Sequence, residues 1–308
     1  FTPTKDNTRR GNFGDAVFYL DFTDGNSVET GGIEELPEAP LGDIYTSFKG
    51  VLAFEDLWPS KGDYDMNDVV IEYKRDIYKN IITSKVVKIV DTFTPKYDGA
   101  NNSNGFGYQL TGIPDSDISN ISIESDGVAS KYMEGKDREP GQEYPTFILF
   151  DNHKTALNQT FTVTMNVARE KYTEQAFTPF FNSPYWNQDY KYNMNPFIII
   201  SANTGRDKEA HIVKFPPTSK MNTSYFGKDT DASRPEEGLY YVNNENLPTG
   251  LQVSGVKVGT KRGADFLIPK EQKSILEAYP QFKTWASSFG TKELYWWKNP
   301  DNSKVITQ

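Results

Sequence analysis

Phe161-Thr162-Val163-Thr164-Met165-Asn166-Val167 sets four apolar side chains on one side of an extended chain and three polar ones on the other. A period of two is the pattern of a strand buried on one face only. Ala16, Phe18, Leu20 and Phe22 repeat it near the start of the chain. Between these segments, apolar runs at residues 51–54, 69–73, 84–93, 106–110, 118–123 and 146–150 are separated by Gly, Asp, Asn and Pro clusters that favour turns. About eight short strands of this kind predict a mainly β fold, a β-sandwich or jelly roll, over residues 13–172.

Residues 171–195 lose periodicity and are rich in Asn, Tyr and Pro, which places a boundary there. A smaller α+β region is expected over residues 190–308, with strands at 196–202 and 211–215 and a loop from 216 to 235. Its helix is expected near 270–289, where Ile275, Leu276, Tyr279, Phe282, Trp285, Ala286 and Phe289 recur at spacings of three and four and stop at Gly290. Pro280 lies inside that pattern, so a kinked helix or two short ones is predicted.

The 308 residues carry 33 Lys and Arg against 42 Asp and Glu, a net charge of -9, which repels nucleic-acid phosphates and anionic lipid headgroups. No nucleic-acid partner is expected. The absence of Cys excludes thiolate nucleophiles, Cys-ligated zinc and disulfides, and two His leave little for zinc. The longest apolar stretch, Pro196-Phe-Ile-Ile-Ile200, is far shorter than the roughly 20 residues of a membrane-spanning helix. Residues 1–12 are polar and lack an initiator Met, which reads as a mature or trimmed form.

One segment concentrates charge. Ala53-Phe-Glu-Asp-Leu-Trp-Pro-Ser-Lys-Gly-Asp-Tyr-Asp-Met-Asn-Asp-Val-Val-Ile-Glu-Tyr73 places Glu55, Asp56, Asp63, Asp65 and Asp68, with the amide oxygen of Asn67, on a loop between two apolar strands. Two like charges about 4 Å apart repel by roughly 4 kcal/mol at an effective dielectric near 20. Convergent carboxylates must therefore splay into water, take up protons or hold a cation. Hard oxygen donors without His or Cys suit Ca²⁺ better than Mg²⁺, which demands a stricter octahedron. The loop is no EF-hand: counted from Asp63, position 6 is Asp68 and position 12 is Lys74, where that motif requires Gly and Glu. The alternative reading is a solvated acidic turn closed by local hydrogen bonds of Asp65 or Asn67.

The motif Phe54-Glu-Asp-Leu-Trp-Pro-Ser-Lys-Gly-Asp-Tyr-Asp-Met-Asn-Asp-Val-Val70, followed by Asn104-Gly-Phe-Gly-Tyr-Gln-Leu110, Asn195-Pro-Phe-Ile198, Phe226-Gly227 and Tyr-Pro-x-Phe-x-x-Trp-Ala-x-x-Phe-Gly ending at Gly290, resembles the LruC-domain family of bacterial envelope proteins. The likeness spans about residues 45 to 300. It implies an exported, often lipid-anchored surface protein, frequently from Bacteroidetes, with no established enzymatic activity. It also implies calcium at the acidic motif, on Glu55, Asp56, Asp63, Asp65, Asn67 and Asp68. The chain departs from the family at Leu247-Pro-Thr-Gly-Leu-Gln-Val253, where relatives carry Trp-Ala after the proline, and it has no Cys to accept a lipid.

Catalytic constellations are weak. Glycoside chemistry needs two carboxylates at a set separation, and Glu143, Glu237 and Glu271 read as surface or helix-start charges. Ser201 with His211 lacks a Gly-x-Ser-x-Gly elbow. His153, after Asp151-Asn152, reads as a turn residue before it reads as an extra metal ligand, and Gly105-Phe-Gly107 lacks the third glycine of a dinucleotide loop. Tyr185-Trp186 and Tyr295-Trp-Trp297 could stack on sugars, but core packing is the ordinary role of such rings. The expected function is a calcium-stabilised binding or adhesion module of the cell surface or outer membrane, monomeric and non-catalytic, with a glycan or protein ligand. A glycan-active hydrolase and an architectural envelope protein are the alternatives.

Overall fold

The computed structural model describes residues 44–133, 135–179 and 194–307. The strand expected around Ala16 to Phe22 and the pair Tyr185-Trp186 lie outside the described residues. The described residues form one compact unit.

The described strands form two antiparallel sheets, and the mainly β sandwich expected from the alternating pattern is what they build. The larger has six strands in the order β10 (Gly250–Ser254), β1 (Ile44–Phe54), β2 (Val69–Lys79), β3 (Val86–Asp98), β7 (Phe161–Val167) and β5 (Ile118–Ser125). The smaller has four, in the order β6 (Thr146–Phe150), β4 (Gly105–Leu110), β8 (Met194–Ile199) and β9 (Glu209–His211). In β7, Phe161, Val163, Met165 and Val167 are buried while the residues between them are half-exposed. Aromatic rings fill the space between the sheets. Phe93 lies 5.2 Å from Phe106 and 5.0 Å from Tyr108, and Phe150 lies 5.2 Å from Phe161. Each such buried ring contributes about 1.5–3 kcal/mol of apolar burial.

Strand β2 runs on past its apolar start through Lys74, Arg75 and Asp76, because Arg75 finds a partner inside the sandwich. It faces Asp91 across β2 and β3 with neither side chain exposed. Its Nε and Nη2 donate to the two carboxylate oxygens at 2.5 and 2.6 Å, and Nη1 donates to the Phe177 carbonyl at 3.1 Å. Strand β10, whose Leu251-Gln252-Val253-Ser254 alternation is only four residues long, pairs with the edge of β1 from Gly50–Ser254 to Phe54–Gly250.

Pro280 divides the expected C-terminal helix into α2 (Ile275–Ala278) and α3 (Phe282–Ser287); α1 (His153–Ala156) precedes them in the chain. The buried rings of this region converge on Trp296, with Tyr279 at 5.0 Å and Phe282 at 4.8 Å. The Gly290 N–H returns to the Trp285 carbonyl and closes the last turn.

Candidate functional site

The acidic loop is the connection between β1 and β2, pinched at its base where Phe54 pairs with Val69. Its second half alternates in direction. Gly62, Tyr64 and Met66 take left-handed φ values of 65°, 59° and 55°. Two of these three residues are not glycine, so the turn stores roughly 1–3 kcal/mol of strain at each and persists only because its surroundings hold it. Tyr64 and Met66 are buried and alternate along the loop with Asp63, Asp65 and Asn67.

The hold comes from distant segments. Glu55 donates its N–H to the Thr249 carbonyl at 3.0 Å, and the Tyr64 hydroxyl donates to the Pro248 carbonyl at 2.8 Å. The N–H of Ile275 donates to the Tyr64 carbonyl at 2.7 Å, that of Gln272 to Asp65 Oδ2 at 2.9 Å, and Asn67 Nδ2 donates to the Pro269 carbonyl at 3.1 Å. Gly99 packs so closely that a Cβ there would lie 2.0 Å from Asn67 Oδ1.

Glu55, Asp63 and Asp65 each bring one carboxylate oxygen within 4.8 Å of the other two. Glu55 is 1 % exposed, Asp65 is buried and Asp63 is open to solvent. Glu55 Oε1 accepts the Met66 N–H at 2.5 Å, whereas its buried Oε2 has no hydrogen-bond donor. Burial, then the charge of Asp68, drives the Glu55 carboxyl far above the usual carboxylate range. Burial, then Asp63, pushes Asp65 up to about 7; burial, then Asp56, pushes Asp68 up to about 8. Lys61, the lysine of this loop, is bonded to Glu245 at 3.2 Å. A deficit of positive charge and an orphaned carboxylate oxygen meet at one place.

The other acids play different parts. Asp68 Oδ2 accepts the Asp56 N–H at 2.8 Å. Asp56 Oδ2 accepts the side-chain amides of Asn102 and Asn104 at 3.0 and 2.8 Å. No spacing in the sequence connects these asparagines, or Gln272, Pro269 and Thr249, to the loop. Asn104 does open one of the motifs, Asn104 to Leu110, on which the resemblance noted in the sequence rests, while nothing local marks Gln272.

The cluster could hold a metal ion that prefers oxygen donors: its ligand atoms are carboxylate oxygens, Asp63 is open to solvent, and one buried carboxylate oxygen is unpartnered. The remaining candidates are otherwise engaged. His153 Nδ1 accepts the Asn104 N–H at 3.2 Å, so Nε2 carries the proton and donates to Asp98 at 2.7 Å. His211 is stacked between Phe197 and Tyr241, its nitrogens at Asn195 and Glu209, and offers no base to Ser201. Trp296 is core, and the exposed Tyr295 stands at 65° to Trp297, so residues 295–297 present no coplanar sugar platform.

The chain matches the family described as "Domain of unknown function (DUF4842)" over residues 84–297. The acidic loop lies ahead of that span, while Asn102, Asn104, Thr249, Pro269 and Gln272 lie within it. No curated protein matches the chain. Among solved structures it is similar to one described as a "Putative lipoprotein" from Bacteroides ovatus, at 19 % identity and a TM-score of 0.59, covering 86 % of this chain and 76 % of that one. At that identity the likeness shows a shared fold.

Proposed function

The chain belongs to the DUF4842 family, and from that premise we propose that it is a calcium-stabilised, non-catalytic binding module of the bacterial cell envelope, of the LruC type. The ion sits among Glu55, Asp63 and Asp65, with Asp56, Asn67 and Asp68 shaping the loop behind them. The observation that carries this reading is Glu55 Oε2, buried without a donor beside two further carboxylates. An unpaired buried anion is costly, and one divalent cation relieves both the missing partner and the mutual repulsion. Calcium accepts six to eight oxygens in flexible geometry, so water at the open Asp63 side completes the shell.

The role of the ion is architectural. The loop joins two neighbouring strands of the larger sheet and is bonded to residues 248–249 and 269–275. Fixing it therefore fixes the C-terminal region against the sheet and shapes the recognition surface beside it. The lipoprotein description of the structural neighbour supports an exported, lipid-anchored setting. Thermal melting with millimolar calcium and with excess chelator tests the proposal. A rise in melting temperature with calcium, absent in Glu55→Gln, is expected; identical curves would overturn it.

A further inference from the structure

We propose that Asn104 is a positioning residue for the ion site, and that Asp56 is its target rather than a calcium ligand; this rests on the calcium reading above. Asn104 is wholly buried, and every polar group of its side chain and main chain is committed. Its carbonyl accepts the His153 N–H at 2.8 Å, and its own N–H donates to His153 Nδ1 at 3.2 Å. Its Oδ1 accepts the Ser201 N–H at 3.1 Å, which fixes the amide so that Nδ2 points at Asp56 Oδ2, 2.8 Å away. His153 is held in turn by Asp98, the last residue of β3.

This chain of bonds anchors Asp56 to β3, α1 and the end of β8 at once, and Asn102 adds a second amide on the same oxygen. Asp56 is also gripped at its main chain by Asp68. With Asp56 immobile on both counts, the preceding residue, Glu55, has its direction fixed on one side by Asp56 and on the other by the bond from its N–H to Thr249. Outer-sphere hydrogen bonds of this kind orient metal-binding carboxylates, and their loss costs about 10- to 100-fold in affinity. Asp56 Oδ2, already accepting two amide hydrogens, has little capacity left for an ion, and Asp56 is not among the three carboxylates that converge, Glu55, Asp63 and Asp65.

The test is calcium titration calorimetry on the full chain, with melting of the calcium-free protein measured in parallel. Asn104→Leu is expected to bind one ion about 10- to 100-fold more weakly. Asp56→Asn, which keeps an oxygen for the amides while removing the charge, is expected to bind close to wild type, and Glu55→Gln to lose binding. Should Asn104→Leu fail to fold, the half-buried Asn102→Ala decides, with weakened binding at an unchanged calcium-free melting temperature expected. Asn102→Ala and Asn104→Leu binding calcium as wild type does, or Asp56→Asn losing it as completely as Glu55→Gln, would overturn the assignment. A wild-type protein that binds no calcium at all brings down the parent reading, and this one with it.

Discussion

Gln272 donates its main-chain N–H to Oδ2 of Asp65 at 2.9 Å, a bond that spans 207 residues of sequence. It joins the acidic loop to the segment just before α2, and it engages one oxygen of a carboxylate that also faces Glu55 and Asp63. One side chain thus serves both the tertiary contact and the candidate ion site.

Asp65→Ala removes both contributions. The exposed Gln272 N–H exchanges its acceptor for water, a net loss of about 1 kcal/mol, and the site loses one of its three convergent carboxylates. Chemical denaturation should show that loss in calcium-free buffer, and calcium should then add no further stability. A variant that keeps the full calcium response would show that Asp65 is not part of the site.

The pair Arg75 and Asp91 offers a test of the sandwich core that is independent of the loop. Asp91→Ala strands a guanidinium with no exposure, and breaking one partner of such a pair costs about 3–5 kcal/mol. Replacing both residues by apolar ones of similar volume should recover most of it. Urea unfolding of the single and double variants measures the difference.

Glu209 sets an acid limb on stability. Burial alone would raise its carboxyl, but the Arg206 guanidinium and bonds from His211 and Thr218 outweigh that and hold it down at about 2. A folded value below the free carboxylate value near 4.3 means the stabilisation is fully present above about pH 4.5 and fades as pH falls toward 2. The difference corresponds to about 3 kcal/mol. Melting curves of wild type and Glu209→Gln should therefore be well separated at pH 6 and converge between pH 4.5 and 2; a constant separation would refute the assignment.

Gly99→Ala tests the packing behind the loop. The new Cβ would lie 2.0 Å from Asn67 Oδ1, so Asn67 must move and its bond to Pro269 must lengthen. Overpacking of this kind costs about 1–3 kcal/mol, read as a lower melting temperature together with weaker calcium binding.

Much of this architecture is legible in the amino-acid sequence. The alternation at 161–167, the apolar runs and the Pro280 break report local burial, and local burial leaves a periodic trace. The crowding of Glu55, Asp63 and Asp65 is legible for the same reason, since the loop is short and anchored by two strands. What the pattern hides is long-range. Arg75 and Asp76 interrupt the apolar run of β2, because the partner that lets an arginine enter the core, Asp91, lies on another strand. Strand β10 shows only the brief Leu251-Gln252-Val253-Ser254 alternation, too short to mark a strand by itself, and it is completed by pairing with the distant edge of β1. Asn104 and Gln272 reach the loop only once the sheets have formed, so no spacing rule finds them.

An experimental electron-density map of the protein crystallised in millimolar calcium tests the central claim most directly. The account predicts one strong peak about 2.3–2.6 Å from oxygens of Glu55, Asp63 and Asp65, with Glu55 Oε2 among its contacts. Carboxylates turned apart into solvent, with no peak between them, would contradict it.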